Sequence, residues 1–375
     1  MRVALVYNQK KEDATKQSVP DEASDPPSSR EANSSPLALS THPSAVLVND
    51  RYAEWDTWET IVAVKSALAE VHDVVLIEAD EDAYEKLRAE QPQIVFNVSE
   101  GLHGVSREAQ VPAMLEMLQI PYTGSDPLTL AVCLDKSRAK EILCYHNIPT
   151  PQFQKICKSA EIDALHIEYP AIVKPLHEGS SKGIFNSSLV RDRSELERAV
   201  ATVLDNYAEP ALVERFLGGR EFTVAMLGNG DRVKVLPIVE IKFDSLPAGV
   251  NPIYSFEAKW IWDRSENPLD IFDCPARIPQ NLRREIESIC RDAYATLRCR
   301  DWCRIDVRLD ENGKPHIIEL NPLPGILPNP EDNSCFPKAA RAAGMTYSEL
   351  LNTVLALAAQ RHGMTGSRSP QRFTN

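Results

Sequence analysis

Apolar strands alternate with an amphipathic helix at the start of the chain, and this pattern predicts a mostly parallel α/β domain. Apolar runs at 2–7, 73–77 and 93–96 are typical of buried strands, and 58–68 carries apolar residues at helical spacing. Ligand-binding loops in such domains follow the carboxyl ends of the strands. Those loops would contain Glu54 and the segment 100–104.

Residues 9–45 interrupt this pattern. The stretch is rich in Ser, Pro, Asp, Glu and Lys and almost free of aromatic residues. Such a composition buries too little apolar surface to offset the entropy of ordering a chain, so we predict a disordered surface insertion.

Near the end of the chain, period-2 alternation predicts an antiparallel hairpin. The runs 302–309 and 316–320 flank a turn that contains Asn312-Gly313. The hairpin would bring Asp306 close to Glu319 and Asn321. Three oxygen ligands at one place suit a hard cation such as Mg²⁺ on nucleotide phosphates. An ordinary hairpin with exposed acidic residues would show the same pattern.

Two further segments carry candidate nucleotide chemistry. A strand delivers Lys174, Pro175 breaks it, and a loop rich in Gly and Ser follows at 176–184. Small residues, backbone N–H groups and a lysine suit phosphates, although the order differs from a Walker A motif. The strand–turn–strand pattern at 211–226 places Glu214 and Glu221 seven residues apart. These acids could meet adenine and ribose, and the two segments could equally be a flexible hairpin and a structural turn.

Composition limits the possible classes of protein. The 375 residues suffice for two or three domains, and 43% hydrophobic with 25% charged residues is ordinary for a soluble protein. A net charge of −13 disfavours binding to nucleic acid or to anionic membranes. No apolar run is long enough to span a bilayer, and none of the eight cysteines forms a CxxC pair. A reduced, cytoplasmic protein is the simplest interpretation.

Taken together, six segments resemble ATP-grasp enzymes, and specifically the D-alanine–D-alanine ligase family. The resemblance covers nearly the whole chain apart from 9–45 and about the last dozen residues. The segments that carry it are 173–183, 213–224, 256–260, 274–276, 304–306 and 319–325. It implies an α/β (α+β) ATP-grasp fold in three domains, with a doubly wound parallel sheet followed by two antiparallel-sheet domains that clasp ATP. We predict domains at 1–134, 135–213 and 214–375.

The resemblance also implies roles for individual residues. ATP would contact Lys136, Lys174, Ser180, Ser181, Glu214, Phe216, Leu217 and Glu221. Two Mg²⁺ ions, or Mn²⁺ in their place, would bind Asp306, Glu319 and Asn321. The catalytic set would be Arg304, Lys259, Ser181 and Gly325. Substrates would contact Glu54, Glu100, Ser180, Trp260 and Ser334.

Departures from the family pattern all fall on the amino-acid pockets. Glu54 is placed only by its local context, and Glu59 is a rival. Alignment without gaps puts Glu100 where the family has a histidine, whereas local matching would choose His103. Trp260 stands where the family usually has a tyrosine. The segments on the ATP side are intact, so the sequence indicates the reaction more firmly than the substrates.

The resemblance therefore implies an ADP-forming ligase that joins a carboxylate to an amine through an acyl phosphate. D-alanyl-D-alanine synthesis for peptidoglycan is the leading interpretation, and a dipeptide or amino-acid ligase of small-molecule biosynthesis is the alternative. A non-catalytic ATP-binding protein is a remote one, because binding alone needs neither Arg304 nor Lys259. A homodimer is expected from the resemblance only.

Overall fold

The computed structural model describes residues 1–11, 50, 52–101, 103–263 and 269–364. From residue 12 onward, the predicted insertion lies outside the described residues. The strands are β1 Arg2–Tyr7, β2 Asp73–Glu78, β3 Ile94–Asn97, β4 Phe153–Ile156, β5 Ala171–Pro175, β6 Leu189–Val190, β7 Ala211–Arg215, β8 Glu221–Leu227, β9 Lys234–Val235, β10 Val239–Ile241, β11 Phe272–Asp273, β12 Trp302–Leu309 and β13 Pro315–Asn321. The α-helices are Trp58–Ala69, Ala83–Glu90, Gln110–Leu118, Pro127–Leu134, Lys136–Tyr145, Arg193–Tyr207, Gln280–Thr296, Cys335–Ala342 and Tyr347–Arg361. Within these ranges, no helix has the length and apolar character needed to cross a bilayer.

The N-terminal sheet is parallel, with strand order β2-β1-β3. Val3 and Leu5 of β1 pack with the helix Trp58–Ala69. Ala4 and Val6 pack on the opposite side with the helices near Leu87 and Leu115. Alternate residues of one strand face opposite sides of its sheet, so both faces are covered by helices, and the predicted doubly wound domain is confirmed.

An antiparallel sheet with the order β4-β7-β5-β6 follows in the chain. The helix Arg193–Tyr207 covers it with apolar side chains that include Leu196 and Val200. Strand β7 belongs wholly to this sheet. The domain boundary that we placed between 213 and 214 therefore falls inside a strand, and the three domain limits stay predictions.

The largest sheet has the order β11-β10-β8-β12-β13, with β9 beside β8. The pairing of β12 with β13 is antiparallel, and Asp306 lies opposite Glu319 in the register. The predicted hairpin is thus confirmed. The register shifts directly after Asp306, so a β-bulge lies at the position where the acidic pair meets.

Trp302 joins the N-terminal sheet to the largest sheet. Its fully buried indole packs edge-on against Phe96 at 5.6 Å and Phe336 at 5.8 Å between ring centroids. Phe96 belongs to β3, and Phe336 to the helix Cys335–Ala342. One continuous core therefore holds the two sheets at a fixed spacing, and the ends of their strands meet.

We predict that Trp302→Ala lowers the free energy of unfolding by about 3–5 kcal/mol, because it removes apolar contacts and leaves a cavity. Trp302→Phe should cost less, because part of the ring packing is kept. Urea titration followed by circular dichroism measures both. Trp58→Ala is the matched control, since Trp58 is 49% exposed. Equal losses for Trp302→Ala and Trp58→Ala would contradict this role of Trp302.

Candidate active site

Two adjoining cavities of about 270 and 100 Å³ lie between the sheets. We call the first the large cavity and the second the small cavity. Every site residue predicted from the sequence lines one or both of them. Those in the large cavity only are Ser181, Lys174, Glu214, Phe216, Leu217, Glu221, Asp306, Trp260 and Ser334. Those in the small cavity only are Lys136, Glu100 and Asn321. Those in both are Glu54, Ser180, Lys259, Arg304, Glu319 and Gly325.

Asp306 and Glu319 form an acidic pair held by cations. Arg304 donates to both carboxylate oxygens of Asp306, from Nε at 3.1 Å and Nη2 at 3.0 Å. Burial opposes the ionisation of Glu319, but Lys136, Lys174 and Arg304 outweigh it and lower the pKa of Glu319 to about 2. Burial raises the pKa of Asp306, and Arg304 opposes that rise. Glu319 is therefore ionised at neutral pH, and the acidic pair can bind a cation.

The donor set of this acidic pair fits a hard cation. Asn321 donates from Nδ2 to Asp306 at 3.3 Å, which leaves its amide oxygen as an acceptor. Two carboxylates and one amide offer the oxygen ligands that Mg²⁺ prefers. In the described part of the chain, no cluster of three or more His, Cys, Asp or Glu residues is arranged for a metal. Asp306, Glu319 and Asn321 have the chemistry to hold a hard cation because of their oxygen donors.

Lys140 is a buried partner of Glu214 that the sequence analysis missed. The Glu214 carboxylate lies 2.8 Å from Lys140 Nζ and 2.6 Å from Lys174 Nζ. Burial opposes the charge of Lys174, but Glu214 outweighs it and raises the lysine pKa, so Lys174 stays cationic. Lys136 and Lys140 lie four residues apart on one helix, so both side chains are on the same face. This spacing could have identified Lys140 from the sequence.

Arg308 is a second residue that the sequence analysis missed. Its Nη1 donates to Glu221 at 2.5 Å, and its guanidinium lies 4.5 Å from the centre of the Phe216 ring. It lines the large cavity. Arg304, Asp306 and Arg308 share one face of β12 by period 2, which could have revealed it.

Two loops meet across the cleft. Ser180 and Ser181 adopt φ values of +51° and +62°, a left-handed conformation that costs energy for residues other than glycine. The Trp260 indole donates to the Ser180 carbonyl at 3.0 Å, and the Ser181 hydroxyl donates to the Tyr254 carbonyl at 2.8 Å. Trp260 thus fixes the backbone of the Gly/Ser loop.

Lys259 and Gly325 border both cavities beside Arg304. Burial and the charge of Arg304 lower the pKa of Lys259 to about 8. Gly325 is exposed, and among the described residues its N–H has no hydrogen-bond acceptor. Ser334 is buried and donates to the Gly325 carbonyl at 3.3 Å, so it supports the loop that presents this amide.

The substrate-side candidates are separated by their positions. Glu54 faces both cavities, whereas its rival Glu59 is exposed. Glu100 lines the small cavity, and His103 is exposed. Arg107, which sequence reasoning did not find, donates from Nη2 to both oxygens of Glu54 at 2.8 and 2.9 Å. No local sequence pattern pointed to this contact, because the two residues meet only in the folded chain.

Comparison with known proteins gives a consistent set of similarities. The family described as "D-ala D-ala ligase C-terminus" matches residues 144–356. A protein of Sinorhizobium fredii, named "Uncharacterized protein y4sG", is 35% identical over 317 residues, or 82% of this chain and 90% of that protein. A D-alanine–D-alanine ligase of Bordetella avium is 36% identical over 258 residues, or 68% of this chain and 75% of that enzyme.

Solved structures agree on the fold. A D-alanine–D-alanine ligase from Bacillus anthracis in complex with ATP superposes with a TM-score of 0.64 at 22% sequence identity. The alignment covers 98% of this chain and all of that chain. A second structure of the Bacillus anthracis enzyme gives a TM-score of 0.65 at 23% identity, with the same coverage. The expected three-sheet ATP-grasp architecture is thereby confirmed.

We predict that Glu214→Gln destabilises the fold by about 3–5 kcal/mol, because it leaves the buried Lys140 and Lys174 without their counter-charge. Glu311→Gln is the control. Glu311 is 52% exposed in its ion pair with Arg215, and such surface pairs contribute at most about 1 kcal/mol. Chemical denaturation of both variants measures the difference. A loss below about 1 kcal/mol in Glu214→Gln would show that the lysines do not depend on this carboxylate.

Proposed function

The chain belongs to the D-alanine–D-alanine ligase family, and on that premise we propose that it joins a carboxylate to an amine at the expense of ATP. The observation that carries the proposal is the convergence of Arg304, Lys259, Gly325 and Glu319, which line both cavities, with Asp306 of the acidic pair in the large cavity. A module that only binds a nucleotide would not need all of these groups together.

The reaction needs two steps, activation of the carboxylate and attack by the amine. A carboxylate is a poor acyl donor, because attack by an amine would have to expel oxide. Its oxygen therefore attacks the γ-phosphorus of ATP and ADP leaves, which gives an acyl phosphate. The amine then attacks the carbonyl carbon, inorganic phosphate leaves, and the amine loses a proton to yield the amide. The protein contributes positioning and charge stabilisation.

The nucleotide belongs in the large cavity. Lys174 stays protonated beside Glu214 and supplies positive charge to phosphate oxygens. Phe216 and Leu217 are buried apolar side chains suited to a base, with Glu221 at the ribose. Because Arg308 already pairs with Glu221, the ribose hydroxyls would share that carboxylate with a guanidinium. Lys136 borders the small cavity and would reach phosphate oxygens from that side.

Magnesium would be held by Asp306, Glu319 and Asn321, as two ions in the family arrangement, with Mn²⁺ able to replace it. When bound there, it would offset the negative charge of the phosphate oxygens. Arg304 and the Gly325 amide would face the oxyanion that develops at the attacked carbonyl carbon. Lys259 would contact the transferred phosphate, with Ser180 and Ser181 in the loop above it. Ser334 would border the site of the amine substrate.

Water must stay out of this site, because it would hydrolyse the acyl phosphate. The hydrogen bonds from Trp260 and Ser181 join the two loops and support such a closed arrangement.

All eight cysteines are free. A cytoplasmic location and a homodimer stay predictions.

The direct test is ADP and phosphate release with Mg²⁺-ATP against D- and L-amino acids and simple carboxylic acids, with products identified by mass. We expect substrate-dependent ADP release and an amide product. Turnover with D-alanine alone would favour D-alanyl-D-alanine synthesis, and turnover with another pair would favour the related dipeptide ligases. If ATP binds and no acid–amine pair gives an amide, the proposal is wrong.

We predict that Arg304→Ala lowers kcat by about 10²–10³ or more, because it removes an oxyanion donor. The KM for ATP should stay within a few-fold, since Arg304 lies outside the base and ribose contacts. Arg193→Ala is the control, because Arg193 is half-exposed on the surface of the helix Arg193–Tyr207. Near-normal turnover by Arg304→Ala would rule out this role.

We predict that kcat/KM for ATP falls as the pH rises above about 8. Lys259 is protonated below its lowered pKa and loses its charge above it, and kcat/KM reports groups of the free enzyme. Lys259→Arg keeps the charge at all working pH values and should lack this decline. The same decline in the arginine variant would assign it to another group.

A further inference from the structure

The carboxylate expected to anchor the substrate's amine already has a partner. Glu54 accepts from Arg107 Nη2 with both oxygens, and the Gly179 amide donates to Glu54 Oε1 at 2.7 Å. The Arg107 and Glu54 side chains are only 7% and 8% exposed. An ammonium group at Glu54 would have to displace or share a buried ion pair with Arg107, whose Nη2 also donates to Glu178 at 3.3 Å.

Two other carboxylates in the small cavity are without partners in the described part of the chain. Among the residues that the structure describes, neither Glu100 nor Glu108 has a side-chain hydrogen bond or salt bridge, and Glu108 is only 9% exposed. Burial raises the pKa of both, that of Glu108 to about 7, and Arg107 opposes the rise. Burying a carboxylate without a partner costs free energy, so a group that completes these two side chains would be bound favourably.

The small cavity is lined by groups of three kinds. Arg304, Lys259 and Gly325 line it, and the carboxylate of a substrate would be activated beside them. Glu100, Glu108 and Asp56 are acidic residues of the lining, together with Glu54 and Glu319. Apolar side chains complete the lining: Val98, Leu134, Leu323 and Ile326. A bound molecule would therefore carry a carboxylate, a short apolar body and a cation.

We infer that Glu100 and Glu108, rather than Glu54, receive the protonated amine of the acyl-donor substrate. This inference rests on the proposed ligase function, which decides that a carboxylate lies beside Arg304. Glu54 and Arg107 then form the fixed wall of the cavity, and the unpaired carboxylates determine which acids are accepted. The protein supplies at Glu54 the positive charge that an amine would otherwise bring.

The test is calorimetric titration of the protein with D-alanine, L-alanine, β-alanine and propionate, in the presence of Mg²⁺ and a non-hydrolysable ATP analogue. Propionate has the same short body and carboxylate without the amine. We expect at least one amino acid to bind more tightly than propionate. Glu108→Gln and Glu100→Gln should each weaken that amino acid by at least about 30-fold and leave propionate unchanged.

Stability separates a binding role from a structural one. Glu108→Gln removes a buried charge without a partner, so the unfolding midpoint should stay or rise. Glu54→Gln breaks the ion pair with Arg107 and should lower that midpoint, while the preference for the amine over propionate remains. Glu59→Gln, an exposed change on a nearby helix, should alter neither quantity.

Three results would overturn the inference. The first is wild-type binding of amino acids no tighter than that of propionate, including no binding of any of these acids. The second is loss of the amine preference in Glu54→Gln alone. The third is unchanged amino-acid affinity in both Glu100→Gln and Glu108→Gln. Failure of the proposed ligase function would be seen separately, as binding without ADP release or amide formation.

Discussion

The meeting of Asp306 and Glu319 on paired strands is the constraint on which the site depends. Two carboxylates this close repel each other, and burial makes the repulsion stronger. The protein tolerates the pair because Arg304, Lys136 and Lys174 surround it with positive charge. These cations come from different sheets and helices. The acidic pair is therefore stable only when the chain is fully assembled around it.

The same cations suit phosphoryl and acyl transfer. Groups that hold two acids together can also face the oxygens of a phosphate or of a tetrahedral centre. Their positions are maintained by buried partners such as Glu214, which holds Lys174 and Lys140. The core around Trp302 keeps the N-terminal sheet and the largest sheet in place, so the two cavities keep their shape.

The residues predicted to bind ATP and those predicted to bind the substrates differ in how closely they follow the family pattern. In the first group, the expected residues lie together, and Arg308 is an additional cation at Glu221. Among the residues predicted to bind the substrates, Glu54 is already paired with Arg107, and within the described ranges Glu100 and its neighbour Glu108 have no hydrogen-bond or ion-pair partner. A change of charge at one wall of a small cavity alters which molecules fit, while the transfer chemistry beside Arg304 can stay the same.

The sequence by itself determined that Asp306 and Glu319 lie on paired strands, that a Gly/Ser loop follows Lys174, and the order of the main strands and helices. Period-2 alternation, turn residues and motif order are local patterns, and local patterns can be read directly from the amino-acid sequence. The resemblance to the family supplied Glu54, placed by its local context, and Glu100, placed by alignment without gaps, as candidates with Glu59 and His103 as rivals. Lys140 could have been predicted from its helical spacing to Lys136, and Arg308 from its strand spacing to Asp306.

Only the tertiary structure decided which of these charges are already paired. Arg107 contacts Glu54 although they lie 53 residues apart in the sequence. Glu214, on a strand, pairs with Lys140, on a helix. Whether a buried carboxylate has a partner depends on distances of a few ångströms between remote segments, and no spacing along the chain encodes them. The reaction could thus be predicted from residue types, whereas the pairing of the buried charges could not.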